Sequence, residues 1–320
     1  MQKRPMVILT GPTAVGKTAL SIALAKRING AIISADSMQV YKYMDIGSAK
    51  IRPEEMEGIR HYLIDELMPD EEFHIVRFKE MAEKALDEIY ANGQIPIVVG
   101  GTGFYIQALL YDIDFDDQDA DEKFRNDMQR FAEENGAEAL HEKLKEIDPK
   151  SYQTIHANNV RRVIRALEYH HLTGQMISAH NEAEHKKESP YNFAYFVLND
   201  NRARLYERIE IRIDQMIKQG LVQEVTKLKD MGYHRDMVSM QGLGYKEILD
   251  YLDGKITLEE AVYILKRDTR HFAKRQLTWF KRERDVCWID KQEYHYNESE
   301  ILDVMLAVLR DKQIIADKDR

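Results

Sequence analysis

Short apolar runs alternate with segments of helical period in two parts of the chain. The apolar runs are 6–9, 31–34, 94–99 and 192–198, and the helical segments are 17–27, 73–92 and 202–220. The runs have the length and near-continuous hydrophobicity of strands that are buried on both faces of a parallel sheet. The helical segments place apolar side chains three and four residues apart, as amphipathic helices do. The alternation predicts an α/β fold in which helices flank a parallel sheet.

The strand-like runs stop after residue 113, and helical periods take over until residue 190. The helices predicted there are 121–135, 137–147 and 158–173. The polar stretch 180–189 has no clear period and is predicted to be a loop. We therefore expect a P-loop catalytic core with C-terminal helices, formed by 1–115 and 191–320, and an all-helical insertion domain formed by 116–190.

The loop between the first strand and the first helix matches a phosphate-binding pattern, in which two glycines are followed by Lys and Thr. Its sequence is Gly11-Pro12-Thr13-Ala14-Val15-Gly16-Lys17-Thr18. The glycines let backbone N–H groups turn towards one point, the helix N-terminus and Lys17 add positive charge, and the Thr18 hydroxyl can hold Mg²⁺. Such a cradle binds a di- or triphosphate, and kinases, NTPases, switches and some transferases all use it.

Three further strand ends carry candidate chemistry, because ligands of open parallel sheets bind at the carboxyl ends of the strands. Asp36 follows the second run; it is a candidate catalytic carboxylate, and it fits a helix N-cap equally well. Asp65 ends the run 61–65, where it fits either a magnesium ligand or a surface turn. Gly100-Gly101-Thr102-Gly103 would admit either a bulky substrate close to the backbone or a tightly packed helix.

Positive side chains concentrate on three predicted helices, although the formal net charge is −9. The three sets are Arg161, Arg162 and Arg165; Arg204, Arg208 and Arg212; and eight Lys and Arg within 266–284, against two acids there. The last set interleaves with aromatic residues, which suits single-stranded or looped nucleic acid. The alternative is solvated helix faces with internal ion pairs, in which the second set would pair with Glu207, Glu210 and Asp214.

Composition narrows the class of protein further. A chain of 320 residues with 44% hydrophobic residues can bury a large core and form two domains. The single cysteine, Cys287, excludes an internal disulfide and a cysteine-based zinc site. No apolar run approaches membrane-spanning length, so we expect a cytoplasmic protein that does not contact a membrane.

Six motifs resemble those of the tRNA dimethylallyltransferases, also called tRNA isopentenyltransferases, in order and spacing. They are the loop 11–18, Ser34-Ala35-Asp36-Ser37-Met38-Gln39-Val40-Tyr41, Gly100-Gly101-Thr102-Gly103, Arg165-Ala166-Leu167-Glu168, Gly242-Leu243-Gly244-Tyr245-Lys246 and Ala273-Lys274-Arg275-Gln276-Leu277-Thr278-Trp279-Phe280. The resemblance extends from residue 6 to about residue 290, and no Cys/His zinc module follows residue 285, as in bacterial members. It implies transfer of a dimethylallyl group from dimethylallyl diphosphate to the N6 amine of the adenosine next to the anticodon on its 3′ side.

The same resemblance implies a role for each site residue. Asp36 would be the general base, Lys17 and Thr102 would complete the catalytic set, and Thr18 would hold Mg²⁺. The diphosphate would contact Gly11, Thr13, Ala14, Val15, Gly16, Lys17, Thr18, Arg208 and Arg212. The tRNA would contact Asp36, Ser37, Met38, Gln39, Thr102, Arg125, Arg161, Arg162, Arg165, Gln241, Gly242, Gly244, Tyr245, Lys246, Lys274, Arg275, Gln276, Thr278, Trp279 and Lys281. The insertion domain would bind the anticodon stem-loop, and the protein would act as a monomer.

Other classes of protein would also use the phosphate-binding loop. A P-loop small-molecule kinase would need no basic helix, and a nucleotide-dependent RNA-binding switch would leave its RNA unaltered. Neither explains Asp36, the glycine-rich turn 100–103 and the basic helix together. An adenine-nucleotide prenyltransferase is a nearer alternative, against which both basic clusters argue.

Overall fold

The computed structural model describes residues 3–113 and 121–316. The chain forms two units, of which the first contains Met1–Leu110 and Pro190–Arg320 and the second contains Tyr111–Ser189. The second unit covers nearly the same stretch as the predicted insertion, 116–190.

One six-stranded sheet organises the first unit. Its strands are β1 (Arg4–Thr10), β2 (Gly30–Ala35), β3 (His61–Tyr62), β4 (Ile95–Gly100), β5 (Tyr191–Asn199) and β6 (Val286–Asp290). All neighbours pair in parallel in the order β3-β2-β4-β1-β5-β6. The predicted α/β fold with a parallel sheet is confirmed.

The strand register sets three loops side by side. Thr10 at the end of β1 pairs with Gly100 at the end of β4, and Gly100 also pairs with Ala35 at the end of β2. Neighbouring strands lie about 4.8 Å apart, so the segments that follow these three residues start within about 10 Å of one another. The carboxyl edge of the sheet therefore gathers the phosphate-binding loop, Asp36 and the glycine-rich turn.

Thirteen helices accompany the sheet in the described part of the chain, and short 3₁₀ turns occur at Pro53–Met56 and Ser239–Gln241. The helices are α1 (Lys17–Ile28), α2 (Ile75–Ala91), α3 (Gly103–Leu110), α4 (Glu122–Asn135), α5 (Ala137–Ile147), α6 (Pro149–Thr154), α7 (Val160–Thr173), α8 (Ile177–Lys186), α9 (Arg202–Gln219), α10 (Leu221–Asp230), α11 (Tyr245–Leu252), α12 (Leu258–Phe280) and α13 (Glu298–Asp311). Within residues 3–113 and 121–316, no helix combines the length and the hydrophobicity of a membrane span.

The core of the first unit forms because β1 is apolar on both faces. Residues Met6–Leu9 are fully buried, and α1 buries Leu20, Leu24 and Ile28. The apolar face that the sequence predicts for α1 is therefore the face buried in the core.

The run 61–65 does not form the predicted longer strand. Only His61–Tyr62 is a strand, because Leu63 and Asp65 adopt left-handed backbone conformations with φ of 62° and 56°. The Asp65 carboxylate accepts from the Lys50 ammonium at 2.6 Å, at the far end of the sheet order from the phosphate-binding loop. Its structural role is this ion pair in a turn.

The second unit is helical and has its own core, built by Leu140, Leu144, Val163 and Leu167 among others. The loop predicted for 180–189 is wrong, because α8 extends through Lys186. Its first turn is fastened by Ser178, whose N–H and hydroxyl donate to the buried Asp148 carboxylate at 2.9 and 2.6 Å. This anchor lies thirty positions earlier in the chain, so local periodicity could not reveal it.

Candidate active site

The phosphate-binding loop depends on glycine at two positions. Gly11 and Gly16 adopt φ of 147° and 100°. A Cβ on Gly11 would lie 2.5 Å from the carbonyl oxygen of Leu198, and a Cβ on Gly16 would lie 3.2 Å from the Lys291 Nζ. Gly16 also caps α1, so the first N–H groups of that helix are directed out of its N-terminus. The loop thus provides the backbone donors that a phosphate group needs.

Three cations bind the carbonyl groups of this loop. Lys17 Nζ donates to the carbonyls of Gly11 and Pro12 at 3.0 and 2.9 Å. Arg208 Nε donates to the Ala14 carbonyl at 2.7 Å, and Lys291 Nζ donates to the Val15 carbonyl at 3.4 Å. Positive charge therefore surrounds the loop.

The electrostatics of the site favour an anion. Burial lowers the pKa of Lys17 to about 8, the Arg212 guanidinium lowers it as well, and the Asp36 carboxylate opposes both effects. Burial also lowers the pKa of Arg212, with Arg208 acting in the same direction and Asp36 against it. A bound diphosphate would relieve this crowding of positive charge.

Asp36 lies directly after β2, and the negative charge of its carboxylate opposes the lowering of the pKa of both Lys17 and Arg212 by burial. Its Oδ1 accepts from the Met38 N–H at 2.8 Å, which fixes a turn. No helix begins there, so the alternative of a helix N-cap is wrong. The carboxylate is partly exposed, and its charge acts on both Lys17 and Arg212. A carboxylate and the phosphate-binding loop therefore meet at one edge of the sheet.

The glycine-rich turn after β4 serves helix packing. A Cβ on Gly101 would lie 2.1 Å from Gln276 Nε2, and a Cβ on Gly103 would lie 2.2 Å from the Trp279 ring. Both residues belong to α12. The Thr102 carbonyl accepts the first N–H bonds of α3. Of the two interpretations of this turn, close approach of a helix is the one that the contacts support.

Gln276 joins that turn to the phosphate-binding loop. Its Oε1 accepts from the Thr13 N–H at 2.9 Å, and its Nε2 donates to the Gly101 carbonyl at 3.0 Å. The side chain is buried. Both ends of the amide are bound to backbone within the site, so the structure gives Gln276 a supporting role, and its contact with tRNA stays a prediction.

The arginines of α9 have different partners from those of the ion-pair alternative. Glu210 and Asp214 bind Arg270 and Lys266 of α12, each at 2.6 Å. Arg204 pairs with Asp200 at 3.6 Å and lies over the Tyr296 ring. Arg208 binds the Ala14 carbonyl of the phosphate-binding loop, and the charge of Arg212 acts on Lys17 of the same loop. Their contact with a diphosphate stays a prediction.

The basic stripe of α12 divides into two halves. Lys266, Arg267 and Arg270 are engaged with acidic side chains. Within residues 3–113 and 121–316, no carboxylate lies in ion-pair range of Lys274, Arg275 or Lys281, and these three side chains and Thr278 are exposed. Trp279 is half-buried against Phe104. Only the second half is thus available to a polyanion.

Several residues of the 242–246 motif are buried or hydrogen-bonded within the protein, although the motif was predicted to contact tRNA. Tyr245 is fully buried and its hydroxyl donates to Glu224 at 2.9 Å, so the side chain supports its neighbours, and its contact with tRNA stays a prediction. The Gly244 N–H donates to Glu247. Gln241 and Lys246 remain accessible, and Gly242 packs against Met38.

The segment after Asp36 is held by a residue that the sequence analysis missed. Glu224 of α10 accepts from the N–H groups of Asp45, Ile46 and Gly47 at 3.0, 2.7 and 3.1 Å. Gln39, predicted to contact tRNA, lies between Ser34 and Ala49 and is hydrogen-bonded to both. Ser37 is partly exposed beside it. Glu224 and Lys291 carry no motif in the sequence that could have indicated either role.

The predicted tRNA-contacting arginines of the second unit fall into two groups. Arg125 and Arg165 both bind the fully buried Glu168, at 2.7 and 3.1 Å. Arg161 and Arg162 are exposed on α7. The first pair stabilises a buried carboxylate, while the second presents positive charge to solvent.

The parallel sheet and its loop define a P-loop type of α/β protein, in which a phosphate cradle lies next to a carboxylate. The family model described as IPP transferase matches residues 39–283. A tRNA dimethylallyltransferase of Lachnoclostridium phytofermentans is 61% identical over 98% of this chain and 99% of its own. The chain belongs to the tRNA dimethylallyltransferase family and is an enzyme of the prenyltransferase class.

Solved structures agree with this assignment. The tRNA isopentenylpyrophosphate transferase of Bacillus halodurans is 46% identical, with a TM-score of 0.73 and 98% of both chains covered. A eukaryotic dimethylallyltransferase acting on tRNA is 27% identical, with a TM-score of 0.81 over 99% of this chain and 82% of that one. The kinase and switch alternatives are not favoured by these relatives.

Proposed function

We propose that this enzyme transfers the dimethylallyl group of dimethylallyl diphosphate to the N6 amine of the adenosine on the 3′ side of the tRNA anticodon. The observation that carries the proposal is the meeting of Asp36 with Lys17 and Arg212 at the carboxyl edge of the sheet. A base beside a diphosphate cradle suits attack of a weak nucleophile on a diphosphate ester. The names of the relatives support the same reaction.

The diphosphate is the first substrate group to be placed. Lys17 Nζ donates to two loop carbonyls and can exchange these for phosphate oxygens. Arg212 adds a second, half-buried charge. As the C–O bond of the donor breaks, negative charge grows on the leaving diphosphate, and these fixed cations stabilise it. This electrostatic contribution accounts for most of the expected lowering of the barrier.

Asp36 removes the proton from the adenine amine. The lone pair of this amine is delocalised into the ring, so a carboxylate must accept the proton as the C–N bond forms. The allylic carbon gains the amine, the diphosphate leaves, and the proton passes to Asp36, which balances the reaction. The hydrogen bond from the Met38 N–H holds one oxygen of the Asp36 carboxylate in place.

Magnesium fits this site only as an ion shared with the substrate. In the part of the chain that the structure describes, no three His, Cys, Asp or Glu side chains gather to hold a metal. Thr18 offers one exposed hydroxyl at the start of α1. Mg²⁺ commonly takes few protein ligands together with phosphate oxygens and waters. Bound there, it would neutralise charge on the diphosphate.

The RNA would be held by charge and stacking. The accessible half of the α12 stripe, Lys274, Arg275, Thr278 and Lys281, presents positive charge beside Trp279. Arg161 and Arg162 offer a second exposed pair. The adenine must leave its stack to react, and Ser37, Gln39 and Thr102 line the edge where it would enter. We also propose that the enzyme is cytoplasmic, in keeping with its single cysteine, and that it acts as a monomer.

Prenyl transfer to RNA tests the proposal directly. Radiolabelled dimethylallyl diphosphate is incubated with an unmodified anticodon stem-loop, with adenosine monophosphate as a separate acceptor and with ATP in another reaction. We expect label in the stem-loop, independent of ATP and lost with Asp36→Ala. Label in the free nucleotide alone would favour the nucleotide prenyltransferase, and ATP consumption without label in RNA would overturn the transferase proposal.

A further inference from the structure

Lys291 lies at the same sheet edge as the phosphate-binding loop, although it is 274 residues from Lys17. It follows β6 directly, and its N–H donates to the Asn199 carbonyl at 3.0 Å, which extends the pairing with β5. Its carbonyl accepts from the Tyr296 N–H at 2.9 Å and closes a turn. Both backbone polar groups of Lys291 are therefore fixed by hydrogen bonds.

The Lys291 ammonium is directed at the loop. The residue is 7% exposed, and its Nζ lies 3.4 Å from the Val15 carbonyl oxygen. The same Nζ lies 3.2 Å from where a Cβ on Gly16 would be. Among the described residues, its one carboxylate partner is Glu298, at 3.6 Å and with half of that side chain exposed. A buried ammonium with such a distant, solvated partner keeps much of its field for the loop.

The bond to Val15 has a consequence for the next N–H group. In a planar trans peptide the C=O and the following N–H point in opposite directions. A cation that holds the Val15 carbonyl on one side of the loop therefore directs the Gly16 N–H to the other side. Arg208 acts in the same way on the Ala14 carbonyl.

We infer that Lys291 is a positioning residue for the diphosphate, which holds the Val15–Gly16 peptide with its N–H towards the cradle and adds positive charge behind it. This inference rests on the proposed function, because the anion concerned is the diphosphate of the donor. Lys291 does not touch the reacting atoms. Its effect should appear in diphosphate binding, while the chemical step should be nearly unchanged.

Three substitutions separate the two contributions of this side chain. Lys291→Met removes both the charge and the donor, Lys291→Gln keeps a donor for the Val15 carbonyl, and Lys291→Arg keeps both. Calorimetry measures the Kd of inorganic diphosphate with the full chain, and steady-state assays give KM and kcat for dimethylallyl diphosphate. We expect Lys291→Met to raise Kd and KM about tenfold with kcat within about twofold, Lys291→Gln to be intermediate, and Lys291→Arg to approach the wild type.

Two further variants control for a merely structural role. Leu309→Ala removes a buried side chain from α13 and lowers thermal stability without touching the loop. Glu298→Gln removes the carboxylate partner and should leave diphosphate binding equal or tighter. Should Lys291→Met fail to fold, the contrast between Lys291→Gln and Lys291→Arg carries the test.

The outcomes distinguish this inference from the proposed function. If the wild type binds diphosphate and transfers the prenyl group, but Lys291→Met resembles Leu309→Ala in losing stability alone, the positioning role is refuted. A fall in kcat with unchanged KM would also refute it. If the wild type itself binds no diphosphate, both the proposed function and this inference fail.

Discussion

Replacing Gln276 with methionine tests whether one amide holds the active site together. This side chain joins the phosphate-binding loop to the glycine-rich turn through the Thr13 N–H and the Gly101 carbonyl, at 2.9 and 3.0 Å. Methionine has a similar length and fills the same space, but it can make neither hydrogen bond. The substitution therefore changes polarity far more than volume.

The expected cost follows from the two groups that lose their partner. Leaving a buried donor or acceptor unsatisfied costs about 1–3 kcal/mol. Thr13 and Gly101 are only partly buried, so water can satisfy them in part. We expect a loss of about 2–3 kcal/mol in the free energy of unfolding. Because the Thr13 peptide is part of the cradle, the KM for dimethylallyl diphosphate should also rise about tenfold.

Urea denaturation and donor kinetics measure these two effects. Gln129→Met is the matched control, because Gln129 makes a comparable bond to Glu133 on an exposed helix face. That control should change stability by less than about 0.5 kcal/mol and leave KM unaltered. A Gln276→Met enzyme with the stability and the diphosphate affinity of the wild type would refute the proposed link.

Three further predictions concern titratable groups. Asp36→Asn keeps an oxygen for the Met38 N–H but removes the base, so kcat should fall about a hundredfold or more. Diphosphate binding should persist in calorimetry, with an affinity altered only by the loss of one nearby negative charge, and a near-normal kcat would contradict the base role. Burial lowers the pKa of Lys17 to about 8, so the ammonium is lost above pH 8 and the affinity for diphosphate should fall by up to about tenfold per pH unit. Arginine keeps its charge, so the affinity of Lys17→Arg should change little over the same pH range. An equal fall in affinity with pH in both proteins would contradict this explanation. Burial raises the pKa of Glu283 to about 7, so its contribution to stability is present below about pH 4.5 and is lost as the pH rises through 7. Glu283→Gln should therefore be more stable than the wild type at pH 8, by about 1–3 kcal/mol in urea denaturation, and equal to it near pH 4.5; equal stability at both pH values would argue against a buried carboxylate.

The roles of several site residues depend on contacts between distant parts of the chain, which no local sequence pattern shows. The alternatives for Gly101 and Gly103 were a close substrate and a close helix, and the packing of Gln276 and Trp279 decided for the helix. Tyr245 belongs to a motif that resembles the family, yet its side chain is buried against Gly47. Motifs mark positions that matter, but they do not say whether the side chain there binds a ligand or supports its neighbours.

The residue pattern alone was enough to predict the parallel sheet, the position of the phosphate-binding loop and the place of Asp36 beside it. These follow from features of consecutive residues, namely apolar period, glycine spacing and the rule that ligands bind at the carboxyl ends of parallel strands. Only the tertiary structure showed that Gln276 and Lys291 complete the loop. Their bonds join residues 263 and 276 positions apart. Such contacts depend on how α12 packs against α3 and on the pairing of β6 with β5. Local pattern cannot contain that information, because it arises only when distant segments are brought together by burial of the common core.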